Sequence, residues 1–204
     1  MKKALLCCAL LIMALALAGC GIFGGDYAYR RLPDGTAEIT KYRGKAETLE
    51  VPGELGGKTV TGIGSYAFSD CVRLRSVTLP DSVTGIGDSA FLFCRELTSV
   101  TFPKGLKQIG EGAFSNCQSL TSVTLPYGVT DIGEGAFYRC TALTKVTLPE
   151  SVARIGKNAF SFPQVGGGSF TAPIEGLVVT VGQDSYAEEY CRENGISFRY
   201  GAED

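Results

Sequence analysis

V-T-G-I-G-S-Y-A-F-S-D-C-V-R-L-R-S-V-T-L-P, from Val60 to Pro80, is a phrase that this chain repeats. It starts again at Val83, Leu106 and Val129, and incompletely at Val152, with a fixed period of 23 residues. In that register Ile63, Ile86, Ile109, Ile132 and Ile155 form one column, and Gly64, Gly87, Gly110, Gly133 and Gly156 the next. Phe68, Phe91, Phe114, Phe137 and Phe160 make a third column, and Cys71, Cys94, Cys117 and Cys140 a fourth. Self-similarity at about 20 to 29 residues marks a solenoid, in which each coil is too small to bury its apolar face alone and stacks on its neighbours.

Within each copy the run Leu74-x-x-Val77-x-Leu79 alternates apolar with polar, so it predicts a short strand with its apolar residues facing inward. Pro80, Pro103, Pro126 and Pro149 end that strand, because proline has no N–H to give to a ladder. The following V-x-x-I-G run predicts a second extended segment, ended by Gly64 and its equivalents in a left-handed conformation. Ala67 through Cys71 then reads as a helical turn that drives Phe68 inward, with no long helix anywhere in the repeat. Each phenylalanine of the column is worth about 1.5 to 3 kcal/mol if fully buried.

The columns I-G-x-x-A-F-x-x-C-x-x-L-x-x-V-x-L-P resemble the BspA-like subclass of leucine-rich repeat proteins. The resemblance covers about half the chain, Val60 to Phe160. As in that subclass, a proline follows the L-x-x-V-x-L strand where commoner leucine-rich repeats carry Asn or Cys, and the cysteine precedes it. The resemblance implies a surface protein used in contacts with hosts, matrix or other microbes, and a partner met on the strand face.

Both ends carry caps, which a solenoid needs to cover its terminal apolar surface and strand edges. Tyr27 to Leu32 and Thr36 to Tyr42 flank Pro33-Asp34-Gly35 and predict a hairpin. Thr48 to Pro52 matches the end of a repeat, and Gly53 to Thr59 delays the next coil. After Pro163, Gly166-Gly167-Gly168-Ser169 begins an irregular insert, and Val179-Thr180-Val181 restores the pattern of Val146-Thr147-Leu148. Ser185-x-x-Glu188 is a capping box that opens a helix. Tyr186, Ala187, Tyr190 and Cys191 are expected on one side of it, and Glu188, Glu189, Arg192 and Glu193 on the other. Gly195 stops the helix, and Ile196 to Tyr200 is a last strand.

Lys2 and Lys3 followed by the apolar run Ala4 to Leu17 read as a leader, and Leu17-Ala18-Gly19-Cys20 resembles a bacterial lipobox. That resemblance implies cleavage before Cys20 and a diacylglycerol on its thiol, so the membrane would be reached through lipid, outside the cell. Loss of Lys2 and Lys3 leaves 17 of the 19 basic residues against 21 acidic ones, a net charge of minus 4. A weakly acidic chain without a basic stripe excludes nucleic acid as the expected partner.

Of eight cysteines, Cys7 and Cys8 leave with the leader, Cys20 carries lipid, four form the repeat column and Cys191 stands alone. Five thiols cannot all pair within one chain. Side chains repeated by translation point in parallel, so their Cβ atoms lie farther apart than a relaxed disulfide prefers. Buried free thiols are the favoured reading, with bridges between coils as the alternative in an exported protein.

The chain has no histidine, which removes Ser-His-Asp and Cys-His machinery and imidazole metal ligation. Gly62-x-Gly64-x-x-Ala67 and Gly85-x-Gly87-x-x-Ala90 imitate a dinucleotide fingerprint, but they recur in the repeat register with no helix after them, so they are repeat turns and no cofactor is expected. An acidic column, Asp88, Glu111 and Glu134, with Asp131 beside it and Ser65 and Lys157 at its ends, is the one arrangement that invites a calcium site or a hydrolase pair. Solvated rim charges explain it more simply.

The candidate ligand face is the outward side of the strands. Ser76, Ser99, Ser122 and Lys145 form one column and Thr78, Thr101, Thr124 and Thr147 another, with Arg75, Thr98, Thr121 and Thr144 at the edge. Such hydroxyls suit a solvated strand, and they also offer hydrogen bonds to protein or glycan. A second candidate, Leu92, Phe93, Tyr138 and Arg139, is either an aromatic patch or half-buried packing between coils.

The reading is a β-rich repeat solenoid with short helical turns. It has a signal peptide (1–19), a lipidated tether (20–26), an N-terminal hairpin and half-repeat cap (27–59), 23-residue repeats (60–163) and a C-terminal cap with one helix (164–204). The expected role is non-catalytic, lipid-anchored binding or adhesion to an extracellular protein or glycan. Its competitors are an envelope hydrolase or calcium-binding protein using Asp88, Glu111 and Glu134, and a purely structural envelope component.

Overall fold

A computed structural model describes residues 23–163 and 171–201. The lipobox with Cys20 and the Gly166–Ser169 stretch lie outside the described residues.

The 23-residue repeats are coils of one solenoid, each with two short strands. The I-G segments Gly85–Ile86, Gln108–Ile109, Asp131–Ile132 and Arg154–Ile155 stack in parallel on Lys58–Ile63. Their isoleucines are in register, Ile63 on Ile86, Ile109, Ile132 and Ile155 in turn. The V-T segments Ser76–Thr78, Ser99–Thr101, Ser122–Thr124 and Lys145–Thr147 form the second row. The isoleucine, alanine and phenylalanine columns are buried throughout, as are Cys94, Cys117 and Cys140.

The phenylalanine rings stack face to face, with centroids 4.8, 5.0, 5.3 and 5.3 Å apart and planes within 5° of parallel. Tyr42 and Tyr27 extend the row into the N-terminal hairpin, and Tyr190 closes it edge-on against Phe160. The row therefore runs from cap to cap. The thiols are free, and Cys94, Cys117 and Cys140 each donate to the carbonyl of a phenylalanine in the preceding coil at 3.1 to 3.2 Å.

Two local expectations are corrected. The column of Gly64, Gly87, Gly110, Gly133 and Gly156 is not left-handed. Its glycines lie where the coil beneath is closest: a Cβ at Gly87 would sit 2.7 Å from the Ser65 nitrogen, and one at Gly133 would sit 2.5 Å from the Glu111 nitrogen. Within the repeats the left-handed residues, Gly128 apart, fall in two other columns: Tyr66, Ser89, Gly112, Gly135 and Asn158, and Asp70, Phe93, Asn116 and Arg139, all with φ between 54 and 62°.

Those two columns also explain why Ala67 to Cys71 is a chain of tight turns rather than a helical turn. Left-handed residues interrupt any helical run, and the amides alternate in where they bond. Ala67, Ser69 and Cys71 donate to Gly64, Tyr66 and Phe68 within the coil, whereas Tyr66, Phe68 and Asp70 donate to Asp88, Ala90 and Leu92 of the next coil. Half of the turn thus serves as a ladder, which satisfies buried backbone groups without a helix.

The N-terminal hairpin forms as expected, with Tyr27–Arg31 antiparallel to Ala37–Tyr42. The Asp34 carboxylate accepts from the Thr36 amide and hydroxyl to close its turn. Ala37–Tyr42 then lies parallel on Lys58–Ile63 and caps the I-G row. Thr48–Glu50 pairs in parallel with Ser76–Thr78, as the half-repeat predicts, and the delay is a small hairpin, Glu54–Leu55 on Lys58–Thr59.

At the other end Val178–Val181 stacks on Lys145–Thr147, and Ser197–Tyr200 stacks on Val178–Val181, both in parallel. Helix α1 (Tyr186–Glu193) has Ser185 as N-cap, whose hydroxyl accepts from the Glu188 amide at 3.2 Å. The expected division of α1 fails at two positions. Tyr186 is exposed and Glu188 is buried, because its carboxylate turns back to accept from the Asp184 amide and the Tyr200 hydroxyl, both at 2.7 Å.

The V-T row is not continuous. Thr48–Glu50, Ser76–Thr78 and Ser99–Thr101 form one parallel sheet, and the strands from Ser122–Thr124 onward form another. The split falls at the coil where Phe102 replaces the leucine of Leu79, Leu125 and Leu148. The Phe102 ring meets Phe114 edge-on at 5.7 Å, and Val100 is only half-buried where Val77, Val123 and Val146 are fully buried.

Candidate binding surface

In each V-T strand the central valine points inward, so the residues on either side of it point out and repeat with the coils. Stacking in register puts Thr78, Thr101, Thr124 and Thr147 in one exposed column, and Ser76, Ser99, Ser122 and Lys145 in a parallel one. All eight predicted face residues lie on this one side, although the sheet split divides them four and four. Thr98 and Thr144, at the strand edge, turn their hydroxyls to the backbone of the preceding coil, the carbonyls of Arg75 and Thr121.

The caps lengthen both columns, in part by positions that the repeat register did not reveal. The threonine column begins at Glu50 and ends at Thr180 and Arg199, and the serine column begins at Thr48 and ends at Val178 and Ser197. Thr48 and Glu50 had a sequence signal in the half-repeat Thr48 to Pro52, and Thr180 in the restored Val179-Thr180-Val181 pattern. Ser197-Phe198-Arg199 carries no repeat motif, and its place follows only from pairing.

The two ends of this surface differ in charge. At the N-terminal end Arg75 pairs with Glu47 at 3.6 Å and Glu96 at 3.2 Å, and Arg73 pairs with Glu47 at 3.4 Å. At the C-terminal end a groove of about 400 Å³ lies over the strands, lined by Ser122, Thr124, Lys145, Thr147, Thr180 and Arg199 among others. Arg199 Nε donates to the Thr180 hydroxyl at 3.1 Å. Among the described residues neither Lys145 nor Arg199 has an ion pair.

The acidic column lies after the other strand row. Asp88, Glu111 and Glu134 line a groove of about 540 Å³ with Asp131 and Arg154. The Asp88 carboxylate accepts from the Glu111 amide at 2.9 Å, and Asp131 pairs with Arg154 at 2.6 Å. Glu111 and Glu134 point into solvent from the rim. Among the described residues no group of three or more His, Cys, Asp or Glu side chains is arranged to hold a metal ion. Of the aromatic pair of sites, Leu92, Phe93 and Tyr138 are half-buried, and the Arg139 guanidinium lies 5.6 Å over the Tyr138 ring.

A family model for the BspA type leucine rich repeat region matches six copies over residues 47–165, more than half of the chain. The solved structure of a leucine-rich repeat protein from T. pallidum is 32% identical with a TM-score of 0.70, covering 79% of this chain and 72% of that one. A leucine-rich repeat protein from Bacteroides capillosus is 30% identical with a TM-score of 0.54, covering 63% of this chain and 97% of its own. A leucine rich cell surface protein from Faecalibacterium prausnitzii is 24% identical with a TM-score of 0.52, covering 82% of this chain and 66% of its own, a likeness of fold. No curated protein matches the chain.

Proposed function

The chain belongs to the BspA-type leucine-rich repeat family, and on that premise we propose that it is a non-catalytic binding or adhesion module of the bacterial cell surface. It meets an extracellular protein or glycan with the outward face of its V-T strands. The observation that carries this reading is the division of side chains in every coil. The apolar columns and Cys94, Cys117 and Cys140 are consumed by the core, while the hydroxyl columns repeat at the surface, where among the described residues their side-chain bonds are those of Ser76 with Thr48 and of Thr180 with Arg199. Attachment is through lipid on Cys20, which the lipobox supports.

A binding screen against glycans and matrix proteins tests the role. Saturable binding that weakens on Thr124→Ala with Thr147→Ala, at unchanged circular dichroism, supports the strand face. Absence of any saturable ligand would leave a structural envelope component as the better reading. Glu111→Ala with Glu134→Ala separates the acidic alternative: loss of a hydrolysis activity or of a calcium-dependent melting shift would favour it over the strand face. Cys20→Ser tests the anchor, since it should release the protein from the membrane fraction.

A further inference from the structure

We infer that the C-terminal end of the strand face is a subsite for carboxylate-bearing sugars, so that the partner is an acidic glycan such as a polyuronate. The inference rests on the strand-face reading above and narrows it to one end of the face and one ligand chemistry.

Three observations carry it. First, Lys145 stands where the preceding three coils have serine, and Arg199 stands at the end of a column that is otherwise threonine from Thr78 to Thr180. Both cations therefore interrupt a hydroxyl lattice, from strands two spacings apart, about 10 Å. Second, they face one groove of about 400 Å³ whose lining, among the described residues, contains no carboxylate. Third, among the described residues they have no ion pair, in contrast to Arg73 and Arg75 at the far end of the same face, which Glu47 and Glu96 neutralise.

Charge complementarity then selects an anion, and the rest of the lining selects its kind. Hydroxyls both donate and accept, so the threonines can answer sugar hydroxyls while the two cations answer carboxylates. The groove offers no aromatic or Arg-rich anchor pocket of the sort that concentrates the binding energy of protein partners. Val178 is its exposed apolar side chain, at 38%. Its floor is a row of hydroxyls at the strand repeat, which suits a chain of polar rings laid across the strands.

The test uses the purified full chain and three immobilised polymers: polygalacturonate, the same polymer fully methyl-esterified, and poly-glutamate. The expected result is saturable binding to polygalacturonate that falls with added salt and is lost on esterification. Lys145→Ser with Arg199→Thr restores the residues of the neighbouring coils, so the fold should persist by circular dichroism. It should weaken binding by about tenfold or more, as the loss of charged partners at an interface does. Lys145→Arg should retain binding. Equal binding of the esterified polymer, an unchanged affinity in the double variant, or tighter binding of poly-glutamate with the same dependence would each overturn the inference. If the charge variant is silent while Thr124→Ala with Thr147→Ala weakens a ligand from the broader screen, this subsite fails and the strand face stands. If both are silent against ligands that the wild type binds, the strand face fails as well.

Discussion

A methyl group at Gly133 would press on the Glu111 amide nitrogen at 2.5 Å, and the obstacle is backbone of the coil beneath, which cannot swing aside. Gly133→Ala should therefore destabilise by about 2 kcal/mol or more, in the range of overpacked cores. Gly135, two residues on, has φ 58°, a Cβ there would meet only Tyr138 Cβ at an ordinary 3.5 Å, and Asn158 holds the same conformation one coil later. Gly135→Asn should shift the melting temperature by no more than a few degrees, since Asn tolerates that region. A calorimetric comparison of the two variants distinguishes crowding from handedness as the reason for each glycine. The ladder thiols make a second prediction at this scale. Burial pushes the Cys140 thiol up to about 12, and Cys191 up to about 11. At pH 8 neither carries appreciable thiolate, the reactive form. A thiol reagent should leave Cys94, Cys117, Cys140 and Cys191 unmodified in the native protein and titrate them only in denaturant.

Elements show where residue patterns stop being sufficient. The isoleucine, phenylalanine and cysteine columns were legible in the sequence because a buried position in a stacked coil accepts one shape, and repetition displays that choice five times for the first two and four times for the third. The V-T ladder was legible strand by strand, but its split was not, since it depends on the volume of one ring, Phe102, meeting Phe114 in the next coil. Phe102→Leu should join the two sheets, read as slower amide hydrogen exchange at Ser122 to Thr124. The same limit applies to α1. Helical periodicity put Glu188 on the solvent side, yet bonds to the Tyr200 hydroxyl, the Asp184 amide and the Arg192 guanidinium draw it in. These partners, the Tyr200 hydroxyl foremost, hold its carboxyl below the ordinary value of 4.5. A depressed folded value means stabilisation that is present above the ordinary value and is lost as pH falls through the depressed one. Acid melting of the C-terminal cap should follow that window, and Glu188→Gln should remove its pH dependence while lowering stability at neutral pH.

At the scale of the molecule, each coil bonds and packs only with its neighbours, so coils are exchangeable units. Removal of residues 106–128 in register would join Gly105 to Val129 and bring Phe91 against Phe137. The shortened chain should fold, with the same β-rich circular dichroism and a lower melting temperature, whereas removal of everything after Pro163 should expose Phe160 and cause aggregation. The candidate surface was legible in part for the same reason. Its eight hydroxyl and lysine positions repeat with the coils, while Ser197 and Arg199 belong to a cap strand that obeys no repeat and are placed only by pairing.

The alternating amides of the phenylalanine turn have a mechanical consequence. Every second one crosses to the next coil, so pulling the two ends of the rod apart strains a series of equal clasps rather than one shared lock. The weakest coil yields first and hands the load to the next. Each yielding coil would pay out its 23 residues, roughly 75 to 80 Å of slack. A cell held through such a rod would be on an extensible leash, and single-molecule stretching should trace a sawtooth with that spacing.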